Sequence, residues 1–195
     1  VSVKTRIGLN KIITEDWAGF LLTQNLAALT IHGRTVREMS KVPARWNEIA
    51  KVATLRNQLA PDTVVIGNGD ARDHAHGLQL AAETGVDGIM IGRGVFHDIY
   101  TFDPNPTEHT PQEMITILLK HLDLYEQWGS NKPFQILKKF FKIYVNSWPG
   151  ASDLRVQLME ATTPDEVRSL LTNTHLPTFY TTDPAPLSAS VQISR

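Results

Sequence analysis

The chain has 195 residues, a formal net charge of −1 at pH 7, 42% hydrophobic residues and no cysteine. The near-neutral balance excludes a uniformly basic nucleic-acid binder, though not a local basic patch, and the lack of cysteine excludes a disulfide framework, a thiolate zinc site or a cysteine nucleophile within these residues. No apolar run approaches the roughly 18–20 residues of a membrane span and no signal peptide opens the chain, so the expected compartment is the cytoplasm.

Residues 1–7 alternate apolar and polar side chains, the pattern of a strand with one buried face, which puts Lys4 and Arg6 together on the other. Residues 8–14 read as a loop, and Thr14 as the N-cap of a helix over about 15–26, with Glu15 and Asp16 at its positive end. A second strand, Ala28–His32, ends in Gly33-Arg34-Thr35, and a polar loop carrying Arg34, Arg37, Lys41 and Arg45 leads to a helix around 44–59. Pro61-Asp62 turns the chain into a third strand over 63–66, which breaks into Gly67-Asn68-Gly69-Asp70. Asp70 or Asp73 caps a helix that runs to Thr84, where Gly85 ends it. The fourth strand, 88–91, runs into Gly92-Arg93-Gly94 and a short helix over 94–100.

Strand–helix units at this spacing are the period of parallel βα architecture, and short, nearly all-apolar strands fit a sheet covered on both faces. Pro104, Pro106 and Pro111 then mark a connector. Beyond it, 111–128, 134–147, 152–161 and 163–171 show helical spacing, and Thr163-Pro164-Asp165-Glu166 is a well-formed helix start. From 173 onward Pro, Ser and Thr dominate, and a disordered tail is expected. The division expected is a half-barrel over 1–103, a linker over 104–111, a helical domain over 112–172 and a tail over 173–195. Four units cannot close an eight-stranded barrel, and Val1 already lies in a strand, so four more units are expected before it. The fold class is therefore α/β: the C-terminal half of a TIM (β/α)8 barrel followed by a small all-α helical bundle.

Polar residues cluster after each strand, where βα-barrels place their sites, and the turns after strands seven and eight are those that most often hold phosphate. Gly67, Gly69, Gly92 and Gly94 would let backbone approach such a ligand, and Arg93 could add a charged hydrogen bond. The plainer alternative is two ordinary tight turns. Lys4 could neutralise an anion or a reduced ring, and His32 could donate a hydrogen bond to a ligand. His74 and His76, two apart, fall on different faces of a helix, so no metal site is expected. Lys132, Lys138, Lys139, Lys142 and Arg155 are interleaved with Phe134, Tyr144 and Trp148. This is either a phosphate-backbone footprint or a solvated helix face, with Lys138 and Lys142 on one side by i, i+4 spacing.

Val3-Lys4-Thr5-Arg6-Ile7-Gly8, Thr30-Ile31-His32-Gly33-Arg34-Thr35, Val65-Ile66-Gly67-Asn68-Gly69-Asp70 and Met90-Ile91-Gly92-Arg93-Gly94 resemble, in order and spacing, successive signatures of the tRNA-dihydrouridine synthases. The resemblance spans about residues 1–100, and the helical remainder is more loosely similar to that family's tRNA-binding domain. It implies an FMN enzyme: NADPH reduces the flavin, hydride passes to C6 of a flipped-out uracil in tRNA, and a cysteine acid protonates C5. By the same resemblance Lys4 and His32 contact FMN, and Asn68, Gly69, Asp70, Gly92 and Arg93 surround its phosphate and ribityl chain. Arg34 and Arg37 would touch the RNA near the target base, and Lys138, Lys139, Lys142 and Arg155 its backbone. The cysteine belongs to the barrel's first half in that family, so no catalytic residue is assigned here and these residues alone are expected to be inactive. Two alternatives stay open: another phosphate-gripping βα-barrel (a different FMN oxidoreductase or a sugar-phosphate isomerase), or a non-catalytic RNA-binding module.

Overall fold

The computed structural model describes residues 1–128 and 132–177, and the chain divides into two compact units, Val1–Thr107 and a second beginning at Glu108. In the first unit, β1 (Ser2–Arg6), β2 (Ala28–His32), β3 (Val64–Asn68) and β4 (Gly88–Met90) form one parallel sheet in that order. Between them run α1 (Thr14–Leu22), α2 (Trp46–Leu59) and α3 (His74–Thr84).

Alternation along each strand decides which side chains meet the helices. Leu29, Ile31 and Val65 join Ala18, Leu22, Ile49, Val52 and Ala53 in a single buried core. Lys4, Thr30 and Ile66 share a register row on the opposite face, and Arg6, His32, Asn68 and Met90 form the next row toward the carboxyl ends. Neighbouring strands in strict chain order, with consecutive helices packed side by side, are the winding of a barrel segment. A doubly wound sheet would reverse its order at a switch point. The fold is α/β and fits a partial TIM barrel.

Local chemistry moves several boundaries. Helix α1 ends at Leu22, short of 26, and Ile13 rather than Thr14 occupies its N-cap. Thr14 instead donates its hydroxyl to the buried Glu48 carboxylate at 2.5 Å, tying α1 to α2. Strand β3 runs on through Gly67 and Asn68, so Gly67 is a strand residue and not part of a ligand turn. The Trp46 ring lies against it, and a Cβ there would come 2.5 Å from Trp46 Cζ3. Asp73, not Asp70, caps α3, accepting the His76 N–H at 2.8 Å, and Gly85 closes the helix at φ 72°. The stretch after β4 is a single 3-10 turn, Arg93–Phe96.

At the amino ends of the strands the Arg56 guanidinium, 8% exposed, pairs with Asp87 and donates to the Thr63 carbonyl at 3.1 Å. Asp87 also accepts the Val65 N–H at 2.7 Å. Helix α2 is thereby fastened to the starts of β3 and β4, at the end of the sheet where barrels place stability rather than chemistry.

The second unit contains α4 (Pro111–Trp128), α5 (Gln135–Lys138), α6 (Phe141–Tyr144), α7 (Ala151–Glu160) and α8 (Pro164–Asn173). The single helix expected over 134–147 is two separate turns: the Phe140 N–H donates to Leu137 and the Ile143 N–H to Phe140, three residues back. That places Phe134, Leu137, Phe141 and Val145 inside. Arg168 on α8 bonds Asp123 at 2.7 Å and Glu126 at 2.5 Å on α4, and Asp165 on its own helix at 3.0 Å. Helix α8 continues to Asn173, where a tail had been expected to begin, and 178–195 lie outside the described residues. Among the described residues no helix is long and apolar enough to cross a membrane.

The Trp46 contact makes Gly67 a packing position. Gly67→Ala is expected to destabilise the first unit by about 1–3 kcal/mol, the usual cost of overpacking. Gly88→Ala, where a Cβ meets nothing within 4 Å, is expected to change stability by no more than about 0.5 kcal/mol. Urea unfolding of the two variants checks the difference.

Candidate functional site

The carboxyl ends of the strands open into a cleft of about 710 Å³ whose walls come from the ends of β1, β2 and β3 and from the segments that follow β2, β3 and β4. The loop after β2 is built first. Arg45 returns its N–H to the Gly33 carbonyl at 2.7 Å and its guanidinium to Glu38 at 2.7 and 2.8 Å. Those bonds and the Thr35 N–H hold the Glu38 carboxyl down at about 2. Arg6 donates to the carbonyls of Thr35 and Met39 at 2.9 and 3.1 Å, binding this loop to β1.

Arg34, only 3% exposed, lies at the centre. Its Nε donates to the Val42 carbonyl at 2.5 Å, its Nη2 to both Asp70 oxygens at 2.5 and 2.6 Å, and its Nη1 lies 3.1 Å from His32 Nε2. Asp70 reaches this position from φ 54°, a left-handed conformation that Asp tolerates better than most residues. Gly69 before it has φ 132°, and a Cβ there would stand 2.5 Å from Ala44 Cβ. Asp70 also accepts the Ala44 N–H at 2.8 Å and Arg93 Nη2 at 3.1 Å. Burial works to raise the Asp70 carboxyl, but the Arg34 and Ala44 bonds and the Arg34 and Arg93 charges outweigh it and leave it below its ordinary value.

His32 sits between Arg6 and Asn68 in register. Burial, then the charges of Arg6, Lys4 and Arg34, push its imidazole down to about 4 against the opposing pull of Asp70. The ring is neutral at pH 7. Asn68 commits its amide N–H to the Met90 carbonyl at 2.8 Å, which leaves its own carbonyl oxygen unused by that bond. Arg6, Arg34, Arg72 and Arg93 face one carboxylate, Asp70, around the cleft. Such a balance suits an anionic ligand.

Of the residues singled out in the sequence, His32, Arg34, Asn68, Gly69, Asp70, Gly92 and Arg93 line this one cleft. Lys4 does not. It lies one register row deeper, opposite Thr30, where burial and then Arg6 lower its ammonium pKa. Arg34 is not an open RNA contact, because it is buried and gives four of its five N–H donors to Val42, Asp70 and His32. Arg37 is exposed and is held through its backbone N–H to Leu9. The glycines divide unevenly. The chain itself crowds Gly67, Gly69 and Gly94, whose added Cβ would fall 2.3 Å from the Arg72 carbonyl oxygen. Only Gly92 of the four faces open space, with nothing within 4 Å.

In the second unit, Lys138 donates to the Met159 carbonyl at 2.8 Å and Arg155 to the Val145 carbonyl at 2.7 Å. Both close helix ends, and the break between α5 and α6 removes the continuous face expected to carry Lys138 and Lys142. Lys139 and Lys142 are exposed, Lys139 over the Phe140 ring at 4.8 Å. The sequence reading missed Arg6, Arg72 and His97 as cleft residues. Arg6 had a signal, since it shares a strand face with Lys4. Arg72 and His97 merely follow the glycine motifs by two or three residues.

Residues 1–179 match the family described as "Dihydrouridine synthase (Dus)". The chain is 45% identical over 174 residues to "Probable tRNA-dihydrouridine synthase 2" of Bacillus subtilis, covering 88% of this chain and 54% of that protein. It is 46% identical over 174 residues to "Probable tRNA-dihydrouridine synthase" of Staphylococcus epidermidis, covering 88% of this chain and 53% of that protein. The chain thus spans about half the length of the curated relatives it matches.

The His32 environment has a pH signature. Its folded pKa of about 4 lies below the unfolded value of 6.5, so the unfolded chain binds more protons between those values. The stability that His32 contributes is therefore complete above pH 6.5 and lost as pH falls toward 4. Urea midpoints at pH 7 and pH 5 are expected to differ more for the wild type than for His32→Gln.

Proposed function

This chain belongs to the dihydrouridine synthase family, and from that premise we propose that the cleft holds the phosphate end of FMN in a protein that reduces a uridine of tRNA to 5,6-dihydrouridine, with NADPH as reductant. The observation that carries the reading is the excess of guanidinium groups around one carboxylate, beside a glycine whose Cβ position is empty. The residues present fit an anionic nucleotide. Gly92 leaves room for close approach of a phosphate, and the exposed Arg93 and Arg72 can reach it. Bound FMN would supply hydride transfer between the nicotinamide and the uracil. The protein's part is positioning and charge. His32 offers a ring nitrogen at the cleft wall, Asn68 a carbonyl oxygen, and Lys4, one row deeper, a cation that favours negative charge on a reduced ring. Asp70 orients Arg93 and stays ionised. No acid for C5 of the uracil is assigned among these residues.

In this reading the four strands are strands five to eight of a TIM barrel and α4–α8 form a bundle that grips tRNA. A uridine within folded RNA must be extruded before it can meet a flavin, and gripping the backbone helps hold the opened form. Lys139 and Lys142 are the phosphate contacts, Lys138 and Arg155 close helix ends in the same unit, and Arg37 is an exposed cation on the loop after β2.

A charged hydrogen bond is worth about 1.5–3 kcal/mol, so Arg93→Ala is expected to weaken FMN binding roughly tenfold or more, read by quenching of flavin fluorescence. Unchanged affinity would overturn the phosphate assignment. For the RNA side, Lys139→Glu with Lys142→Glu should lower tRNA affinity and flatten the slope of log K against log salt by about 1 to 2. Filter binding at several salt concentrations measures it, and an unaltered slope removes both lysines from the interface.

A further inference from the structure

We propose that Arg34 is a positioning residue that fixes His32 as the neutral tautomer protonated at Nδ1, so that the ring presents a single N–H donor to a ligand in the cleft. A guanidinium has five N–H donors and no acceptor. Arg34 Nη1 lies 3.1 Å from His32 Nε2, and two donors facing each other at that distance would repel. The ring nitrogen must therefore be bare and accepting, which excludes both the Nε2–H tautomer and the imidazolium.

Neither partner can turn away at low cost. Arg34 is pinned by the Val42 carbonyl, by both Asp70 oxygens and by its own N–H to the His32 carbonyl at 2.7 Å. At 3% exposure, turning a donor away from its acceptor would leave it unmet and out of reach of water. His32 is held by β2 between Arg6 and Asn68. The charged groups around it are Lys4 and Arg6 from β1, Arg34 from its own loop and Asp70 after β3, three cations to one anion. Their balance reinforces the neutral ring. Nδ1 has no hydrogen-bond partner among the described residues, so its proton is available. That the acceptor is a flavin rests on the reading above, whereas the tautomer itself does not.

Long-range 15N–1H NMR of the histidine rings, without FMN and at pH 7, tests the assignment, with His32 identified through His32→Gln. The wild type is expected to show a bare Nε2 and a protonated Nδ1, unchanged from pH 6 to 8. In Arg34→Met the ring is expected to move to the Nε2–H form or to a mixture of both. Should that variant not fold, Arg34→Lys, which keeps a charge but has a single nitrogen in place of the planar fork that reaches Val42, Asp70 and His32 together, is expected to give the mixture. An Nε2–H ring or an imidazolium in the wild type overturns the proposal, as does an unshifted Nδ1–H ring in the folded variant. A wild type that shows the expected tautomer but binds no FMN upholds the role of Arg34 and removes the flavin reading alone.

Discussion

The site depends on one ion pair, Arg34 with Asp70. It joins the loop after β2 to the loop after β3, and almost every other feature of the cleft refers to it. A guanidinium taken out of water is costly unless each donor is met. Here the carbonyl of Val42, two carboxylate oxygens and an imidazole nitrogen take four of its five N–H groups. Asp70 keeps 37% of its side chain exposed, so the pair is buried on the arginine side and half in solvent on the other. That asymmetry matters more than the pair's net stability, because it lets one carboxylate fix a buried cation while still touching the exposed Arg93 at 3.1 Å.

The two ends of the sheet use the same chemistry for opposite purposes. At the amino ends Arg56 and Asp87 also pair, but Asp87 takes a backbone N–H of β3 and Arg56 two backbone carbonyls. Their remaining capacity is absorbed by the fold. At the carboxyl ends, cations outnumber carboxylates around an open cleft, and the Asn68 side-chain oxygen has no hydrogen-bond partner among the described residues. The excess positive charge is affordable there only because Arg72 and Arg93 stay in solvent, while the one buried guanidinium is neutralised locally. A cleft with excess positive charge can thus be kept in the folded protein without a cluster of buried, unpaired charge.

The strands, their order, Gly85 and Asp73 were legible because each is a local signal: an apolar run, a spacing, a left-handed stop, a capping carboxylate. What the sequence concealed is tertiary. Gly67 reads as the start of a loop until Trp46, twenty-one positions earlier, is seen lying on it. Thr14 has the chemistry of an N-cap, yet Glu48 offers its hydroxyl a stronger, charged acceptor. The family resemblance offered Arg34 as a contact to RNA, whereas the structure buries it. Its burial follows from Asp70 adopting a positive φ, which nothing nearby in the sequence announces. Among the candidate site residues the glycine motifs lead to the cleft, but crowding by the chain's own atoms explains three of the four glycines, and only Gly92 has open space at its Cβ position.

In the second unit, the same distinction between committed and available charge bears on the proposed RNA grip. Arg168 is enclosed by Asp123, Glu126 and Asp165, so its field is cancelled at short range. Lys138 and Arg155 donate to carbonyl oxygens, which orient a cation without neutralising it, although Lys138 is also near enough to Glu166 to help hold that carboxyl below its usual range. They still contribute to the potential felt by a polyanion within a Debye length of about 8 Å at physiological salt. Under that proposal contact and field are separate duties: exposed Lys139 and Lys142 would displace counterions at the phosphates, while Lys138 and Arg155 would raise the potential from fixed positions. Asp123 and Glu126 facing Arg168 tie α4 to α8, while residues 132–155 carry Lys132, Lys138, Lys139, Lys142 and Arg155 against one carboxylate, Asp153.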